Sequence, residues 1–158
     1  TWRKASRLLD RAGDIGVGER SMAHWLVKSE PDVFSWDDLV KTGAKGEPWT
    51  GVRNHTAKLN LKAMALGDGV FFYHSQAGKE IVGICEVVRE AYLDPTDAKG
   101  QFFCVDLKAV RPLPRPFTLA MAKDDPALAA MSLITSFRLS VQPVTDEEWA
   151  HVCRVSGA

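Results

Sequence analysis

The chain has 158 residues, a length that suits a single domain with a buried hydrophobic core. Its 20 lysines and arginines balance 20 acidic residues, which excludes the global positive charge that drives non-specific binding to nucleic acids. The longest apolar runs are strand-sized and no signal peptide is recognisable, so we expect a cytoplasmic or nuclear protein without membrane contact.

The first 21 residues carry five basic and three acidic side chains and end in a glycine-rich stretch. Apolar residues at helical spacing allow a short amphipathic helix there, and a flexible tail is the alternative. Met22 directly precedes the first strand-like run. We therefore expect residues 1–21 to be an N-terminal extension and residues 22–158 to form the domain.

The domain begins with a predicted strand followed by two helices. Residues 23–28 form an apolar run typical of a strand. Ser35 and Asp38 have the spacing of a capping box and predict a short helix that Gly43 ends. Asn54 is a favourable N-cap for a longer amphipathic helix.

The middle of the chain is rich in predicted strands. Apolar runs at 70–74 and 81–88 are separated by the turn-forming residues 75–79, which predicts a hairpin. Residues 102–110 alternate between apolar and polar side chains, as a strand with one solvated face does.

The last third combines proline-rich sequence with short helices. Prolines at 112, 114 and 116 predict the end of regular strand pairing. The Asp-Pro pair at 125–126 predicts a helical turn, and residues 139–144 predict a returning strand. Thr145 and Glu148 then predict the capping box of a final helix.

These elements predict an α+β fold, because the strands are too close together for crossover helices and the helices are grouped before and after them. We expect a mostly antiparallel sheet curled into a small β-barrel with peripheral helices. The glycine motifs of nucleotide cradles are absent, and the three cysteines and four histidines lack metal-ligand spacing. The sequence therefore predicts neither a cofactor nor a metal ion.

Three short stretches place polar and aromatic side chains at predicted strand ends and in loops, where binding sites usually form. They are residues 25–31, 49–54 and 71–75. Trp49 lies in a loop between Pro48 and Gly51, outside either predicted helix, so it is not needed to fill a helix face. Trp25 and Trp36, by contrast, lie where core packing is expected.

Some of these polar residues also have structural explanations. Asn54 caps a helix, and a histidine at the position of His74, before a turn, is typically a hydrogen-bonded structural residue. No structural explanation is evident for Arg53. The functional interpretation is therefore strongest at the loop that contains Trp49 and Arg53.

Four runs in these stretches and just beyond them carry a family resemblance. They are 25–31 (WLVKSEP), 49–54 (WTGVRN), 72–75 (FYHS) and 78–83 (GKEIVG). Together they closely resemble the EVE domain family. The resemblance spans nearly all of residues 22–152, and it continues in residues 110–116 and 138–145.

The resemblance implies a PUA-like fold, related to the YTH readers of methylated adenine in RNA. It also implies a non-catalytic reader of modified cytosines in DNA, with RNA as the alternative partner and a monomer as the binding form. In the YTH readers a loop tryptophan forms one wall of an aromatic cage, and Trp49 matches it. A second cage tryptophan of those readers has no counterpart in this sequence.

A pocket for an extruded base follows from the resemblance. Trp49 would supply the stacking face, and Glu30 would accept a hydrogen bond from an exocyclic amine such as N4 of cytosine. The predicted base-binding pocket consists of Lys28, Ser29, Glu30, Trp49, Val52, Asn54, Tyr73, His74 and Ser75. Arg53 and Arg138 are predicted to bind phosphates, and Lys28 also has the charge for this.

Two other functions stay open. ASCH domains share the PUA-like architecture, and some resemble small amidohydrolases acting on modified nucleosides with a lysine, a hydroxyl residue and a glutamate. Lys28, Ser29 and Glu30 have those types, but a lysine base needs a pKa lowered by burial, and the neighbouring carboxylate raises it. We therefore expect no catalysis. A pure protein-interaction module would leave the cluster around Trp49 without a purpose.

Overall fold

A computed structural model describes residues 22–158, and the expectations for residues 1–21 lie outside this part of the chain. The strands are β1 (His24–Ser29), β2 (Glu47–Pro48), β3 (Gly69–His74), β4 (Glu80–Leu93), β5 (Phe103–Thr118) and β6 (Val141–Val144). The α-helices are α1 (Trp36–Lys41), α2 (His55–Ala63), α3 (Leu119–Lys123), α4 (Ser132–Thr135) and α5 (Asp146–Ser156). Two 3₁₀ turns cover Gly43–Lys45 and Pro126–Leu128.

The predicted helix starts are confirmed by side-chain caps. Ser35 and Thr145 form capping boxes at the starts of α1 and α5. The Asn54 side chain accepts a hydrogen bond from the backbone N–H of Ala57 at 2.8 Å and caps α2. Local sequence therefore sets these helix positions, because each cap satisfies backbone N–H groups that the helix leaves free.

The six strands form one sheet in the order β2-β5-β4-β3-β1-β6. Only β1 and β3 are parallel neighbours, and the other four pairs are antiparallel. The predicted α+β class and the mostly antiparallel sheet are confirmed, but the predicted barrel is wrong, because in residues 22–158 the edge strands β2 and β6 do not pair. Helix α2 contacts both β5 and β6, and Asn60 donates from Nδ2 to the Val141 carbonyl at 2.7 Å. Helix α2 thus lies between β5 and β6, on the side where the sheet would have to close to form a barrel.

The prolines do not end β5, but its ladder is irregular where they lie, as predicted. β5 continues to Thr118 and stays paired with β4, with Gly83 opposite Pro112 and Ile81 opposite Phe117, and the register shifts between these two pairs. On its other side β5 pairs with β2 only at residues 106 and 107, so the proline segment lies at a sheet edge, where a missing N–H costs little.

Neighbouring residues along each strand face opposite sides of the sheet, and a hydrophobic cluster covers each side. Val27 and Phe72 belong to one hydrophobic cluster, whereas their neighbours Leu26 and Phe71 belong to the cluster on the opposite face. Trp25 and Trp36 are buried in the first cluster, as predicted. The sheet is therefore a rigid central layer, and the loops at its ends are free to form a site.

Candidate binding site

A cavity of about 630 Å³ opens where β1 and β3 end, a size within the usual range of about 300 to 1,000 Å³ for small-molecule sites. The parallel register places Ser29 beside His74 and so brings two of the predicted stretches together. Five of the predicted pocket residues line the cavity: Lys28, Ser29, Glu30, Trp49 and Ser75. Seven further residues that the sequence analysis missed complete it: Val33, Phe34, Glu47, Pro48, Thr50, Gly51 and Ser140.

Trp49 is both a wall of this cavity and part of the core. Its side chain is 8% exposed and meets the rings of Phe34 and Phe72 edge-on, with centroid distances of 5.9 and 5.6 Å. Its backbone N–H donates to the Val105 carbonyl at 2.7 Å, which ties the loop to β5. The indole is therefore fixed before any ligand arrives.

A buried carboxylate holds the loop that carries Trp49. Asp94 accepts at Oδ2 from the Gly51 backbone N–H at 2.8 Å and from Arg53 Nη1 at 3.0 Å. Burial raises the pKa of Asp94, but hydrogen bonds from Thr96, Gly51 and Arg53 outweigh it and lower that pKa to about 2. This ion pair gives Arg53 the structural role that the sequence did not reveal.

Lys28 lines the larger cavity and also a second, smaller cavity beside it. Its ammonium group donates to the carbonyl of Phe137 and lies over the rings of Phe137 and Tyr73, 4.6 and 5.6 Å from their centroids. Burial lowers the pKa of Lys28. Next to it, Ser29 donates from Oγ to the Phe34 carbonyl, which fixes the loop on one side of the larger cavity.

His74 and Asn54 do not line the cavity but position neighbouring elements. The Trp36 backbone N–H donates to His74 Nε2 at 3.1 Å, so the ring binds the start of α1. Burial lowers the pKa of His74, and Glu80 and Asp37 oppose this. A neutral imidazole suits this contact, because Nε2 must keep its lone pair to accept.

Three other predicted residues also lie outside the larger cavity. Val52 is buried in the core, and Arg138 is exposed and lines no cavity described here. Tyr73 is 1% exposed and borders a second cavity of about 270 Å³ instead. Residues lining this second cavity are Lys28, Tyr73, Ser75, Gln76, Lys79 and Phe137. The structure thus divides six of the nine predicted pocket residues between the two cavities, whereas Val52, Asn54 and His74 line neither of them.

Of the seven further lining residues, Thr50 and Gly51 lie in the stretch 49–54 that the sequence singled out, and one other pair carries a recognisable signal. Val33 and Phe34 are apolar residues in the turn after Pro31, and Val33 is 77% exposed. An apolar pair in such a loop indicates a contact surface. Glu47 reaches the cavity through the pairing of β2 with β5, and Ser140 lies there because its carbonyl accepts a hydrogen bond from the Lys28 N–H at 3.1 Å, so no local pattern reveals either residue.

Two further kinds of feature, a metal-ion site and a membrane-spanning helix, are absent from residues 22–158. Within residues 22–158 no three His, Cys, Asp or Glu side chains are grouped so that they could hold a metal ion. No helix in that range is long and apolar enough to cross a membrane.

The open six-stranded sheet, the helices on both of its faces and the cavity lined by Trp49 and Phe34 at one end define an α+β domain with a candidate binding site. The family model described as "EVE domain" matches residues 23–155. The chain therefore belongs to the EVE domain family, as the sequence motifs predicted.

Known relatives extend this assignment. Thymocyte nuclear protein 1 of Gallus gallus is 36% identical over 185 residues, covering 96% of this chain and 74% of that protein. An NMR structure of a Rhodopseudomonas palustris protein is 62% identical, with a TM-score of 0.82 and coverage of 86% of this chain and 94% of that one. Human thymocyte nuclear protein 1, crystallised in complex with 5-methylcytosine-containing DNA, is 35% identical, with a TM-score of 0.78 and coverage of 86% and 98%.

Proposed function

We propose that this protein is a non-catalytic reader that takes an extruded modified base of DNA, a modified cytosine, into the larger cavity. The observation that carries the proposal is the fixed indole of Trp49 on the wall of a cavity with a polar rim. The human relative crystallised with 5-methylcytosine-containing DNA supports the same class of ligand.

The lining of the cavity suits a cytosine. A base extruded from a duplex needs an apolar face to stack on, which contributes about 1 to 3 kcal/mol per base. We assign this role to Trp49, which lines the cavity. Glu30 and Glu47 are carboxylates that accept hydrogen bonds from an amine such as N4 of cytosine. The Ser29 and Ser75 hydroxyls are able to donate to ring nitrogen or carbonyl acceptors.

Contacts to phosphates must be local, because 20 basic residues balance 20 acidic ones. Arg138 is exposed near the cavities, next to Phe137, and is free to meet a phosphate. Arg53 is held by Asp94 and Thr96 and remains 39% exposed. We assign it first to holding the Trp49 loop and second to the phosphate contact.

The amidohydrolase alternative depends on Lys28. Its pKa is lowered by burial, which favours a lysine base. Its ammonium group, however, donates to a backbone carbonyl and lies over two aromatic rings, an environment that stabilises a cation. Binding without turnover is therefore the better account of this lysine.

The proposal is tested by fluorescence anisotropy at one fixed salt concentration with matched oligonucleotides. Each pair differs only in a methyl group on one cytosine, and DNA and RNA versions are compared. Burial of one methyl group contributes about 0.8 kcal/mol, so we expect about fourfold tighter binding of the modified DNA. Equal affinity for every modified and unmodified oligonucleotide would contradict the proposal.

A further inference from the structure

The second cavity, which borders the proposed base pocket, has the features of an anion site. It is smaller, about 270 Å³, and two lysines, Lys28 and Lys79, line it. No carboxylate belongs to its lining. Tyr73, Ser75 and Gln76 add hydrogen-bond donors, so the lining presents positive charge and donors together.

The hydroxyl of Tyr73 is the first independent sign that this cavity binds a ligand. It is buried and has no hydrogen-bond partner among the described residues. Buried polar groups are nearly always paired, so an exception at a cavity wall needs an explanation. A ligand that accepts a hydrogen bond from this hydroxyl would satisfy it.

The turn between β3 and β4 is the second sign. Gln76 and Lys79 both adopt left-handed backbone conformations, with φ of 66° and 47°, although neither is a glycine. Such conformations are unfavourable and concentrate at functional sites. The turn is also fixed at both ends, because the Ser75 N–H donates to the Ser29 carbonyl and the Leu119 N–H donates to the Lys79 carbonyl, each at 2.9 Å. The strain thus belongs to a fixed turn that borders the cavity.

The two cavities are neighbours. Lys28 and Ser75 line both of them, so a nucleotide whose base enters the larger cavity brings its phosphodiester close to the smaller one. We propose that the second cavity is a phosphate subsite, in which Lys28, Lys79 and the Tyr73 hydroxyl bind the phosphodiester next to the extruded base. This inference rests on the proposed function and adds the backbone contact that fixes the position of the base.

The test uses oligonucleotides in which one phosphate beside the modified cytosine is replaced by an uncharged methylphosphonate, on its 5′ or its 3′ side. Hydrogen bonds to charged groups are strong enough that we expect the parent protein to lose affinity by on the order of tenfold at one of the two linkages. Lys79→Gln should bind the normal oligonucleotide about as weakly as the parent protein binds the methylphosphonate. The same variant should lose little further affinity when the methylphosphonate replaces the phosphate. Lys41→Gln is the control, because Lys41 is exposed and lines neither cavity.

Tyr73→Phe separates ligand binding from folding. Removing an unpaired buried hydroxyl leaves stability unchanged or raises it, whereas affinity for the normal oligonucleotide should fall. Inorganic phosphate added as a competitor distinguishes a free phosphate ligand from a phosphodiester. If it displaces no oligonucleotide while the methylphosphonate effect persists, the phosphodiester is the ligand.

The outcomes separate this inference from the proposed function. A parent protein that prefers modified DNA but is indifferent to both methylphosphonates would overturn the phosphate subsite and leave the base pocket intact. A parent protein that shows the methylphosphonate effect without any preference for the modified base would support the subsite and contradict base recognition.

Discussion

Trp49 and Trp36 form a matched pair that separates binding from packing. Both side chains are 8% exposed, and both meet the ring of Phe72 edge-on, at 5.6 and 5.5 Å with interplanar angles of 79° and 74°. Only Trp49 lines the larger cavity. We therefore compare Trp49→Leu with Trp36→Leu, in which leucine keeps an apolar side chain and removes the flat ring.

Similar losses of stability and different losses of binding are expected from this pair. Truncation of a buried tryptophan to alanine typically costs about 3 to 5 kcal/mol, so each leucine variant should lose less than this and by similar amounts. At Trp49 this loss is expected because the residue is buried, although it also lines the cavity. In binding, Trp49→Leu should lose about 1 to 3 kcal/mol of stacking, a factor of roughly 5 to 150 in Kd, and Trp36→Leu almost nothing.

The assay combines urea unfolding of both variants with anisotropy titrations of 5-methylcytosine DNA well below the unfolding midpoints. Circular dichroism checks that each variant is folded under the binding conditions. If both variants lost affinity equally, the effect would come from packing around Phe72. If Trp49→Leu bound as tightly as the parent, the pocket assignment would be refuted.

Three further predictions follow from other parts of the molecule. The pKa of Asp94, about 2, lies below the unfolded value of roughly 3.9, so its contribution to stability is present above pH 4 and lost as pH falls towards 2. Asp94→Asn should reduce the acid-induced loss of unfolding free energy by about 2 kcal/mol between pH 5 and pH 2, measured by urea titration, and an unchanged loss would contradict this account. Deletion of residues 1–21 should leave the midpoint of thermal unfolding nearly unchanged, whereas a fall of several degrees would mean that they pack on the domain. Incubation with N4-acylated cytidines should yield no product by chromatography, and product that disappears in Lys28→Ala would overturn the reader assignment.

The sequence predicted the helix starts and most strands because their signals are local. Ser35, Asn54 and Thr145 each bind backbone groups three residues away, and these caps lie where the sequence placed them. The open edge of the sheet was not predictable in this way. It depends on α2 reaching β6 through Asn60 and Val141, which are 81 residues apart in the chain.

In the candidate site, too, features with a local sequence signal were predicted and features that depend on long-range contacts were not. Trp49, Lys28, Ser29 and Glu30 were predicted together because their residue types and spacing match a family, and all four line the larger cavity. The ion pair of Arg53 joins residues 41 positions apart, so no local pattern could explain that arginine. The smaller cavity was missed for the same reason, because it forms only when the β3–β4 turn meets the segment that contains Phe137.

The most direct test of the central claim, entry of an extruded base into the cavity beside Trp49, is to change the cost of extrusion. Two duplexes carry the same 5-methylcytosine, paired with guanine in one and opposite an abasic site in the other. Unpairing a base costs a few kcal/mol and costs least when the base has no partner. The account predicts that the parent protein binds the abasic duplex at least about tenfold more tightly, and that Trp49→Leu loses affinity for both duplexes. Equal affinity of the parent protein for the two duplexes would show that the base stays in the helix and would contradict the account.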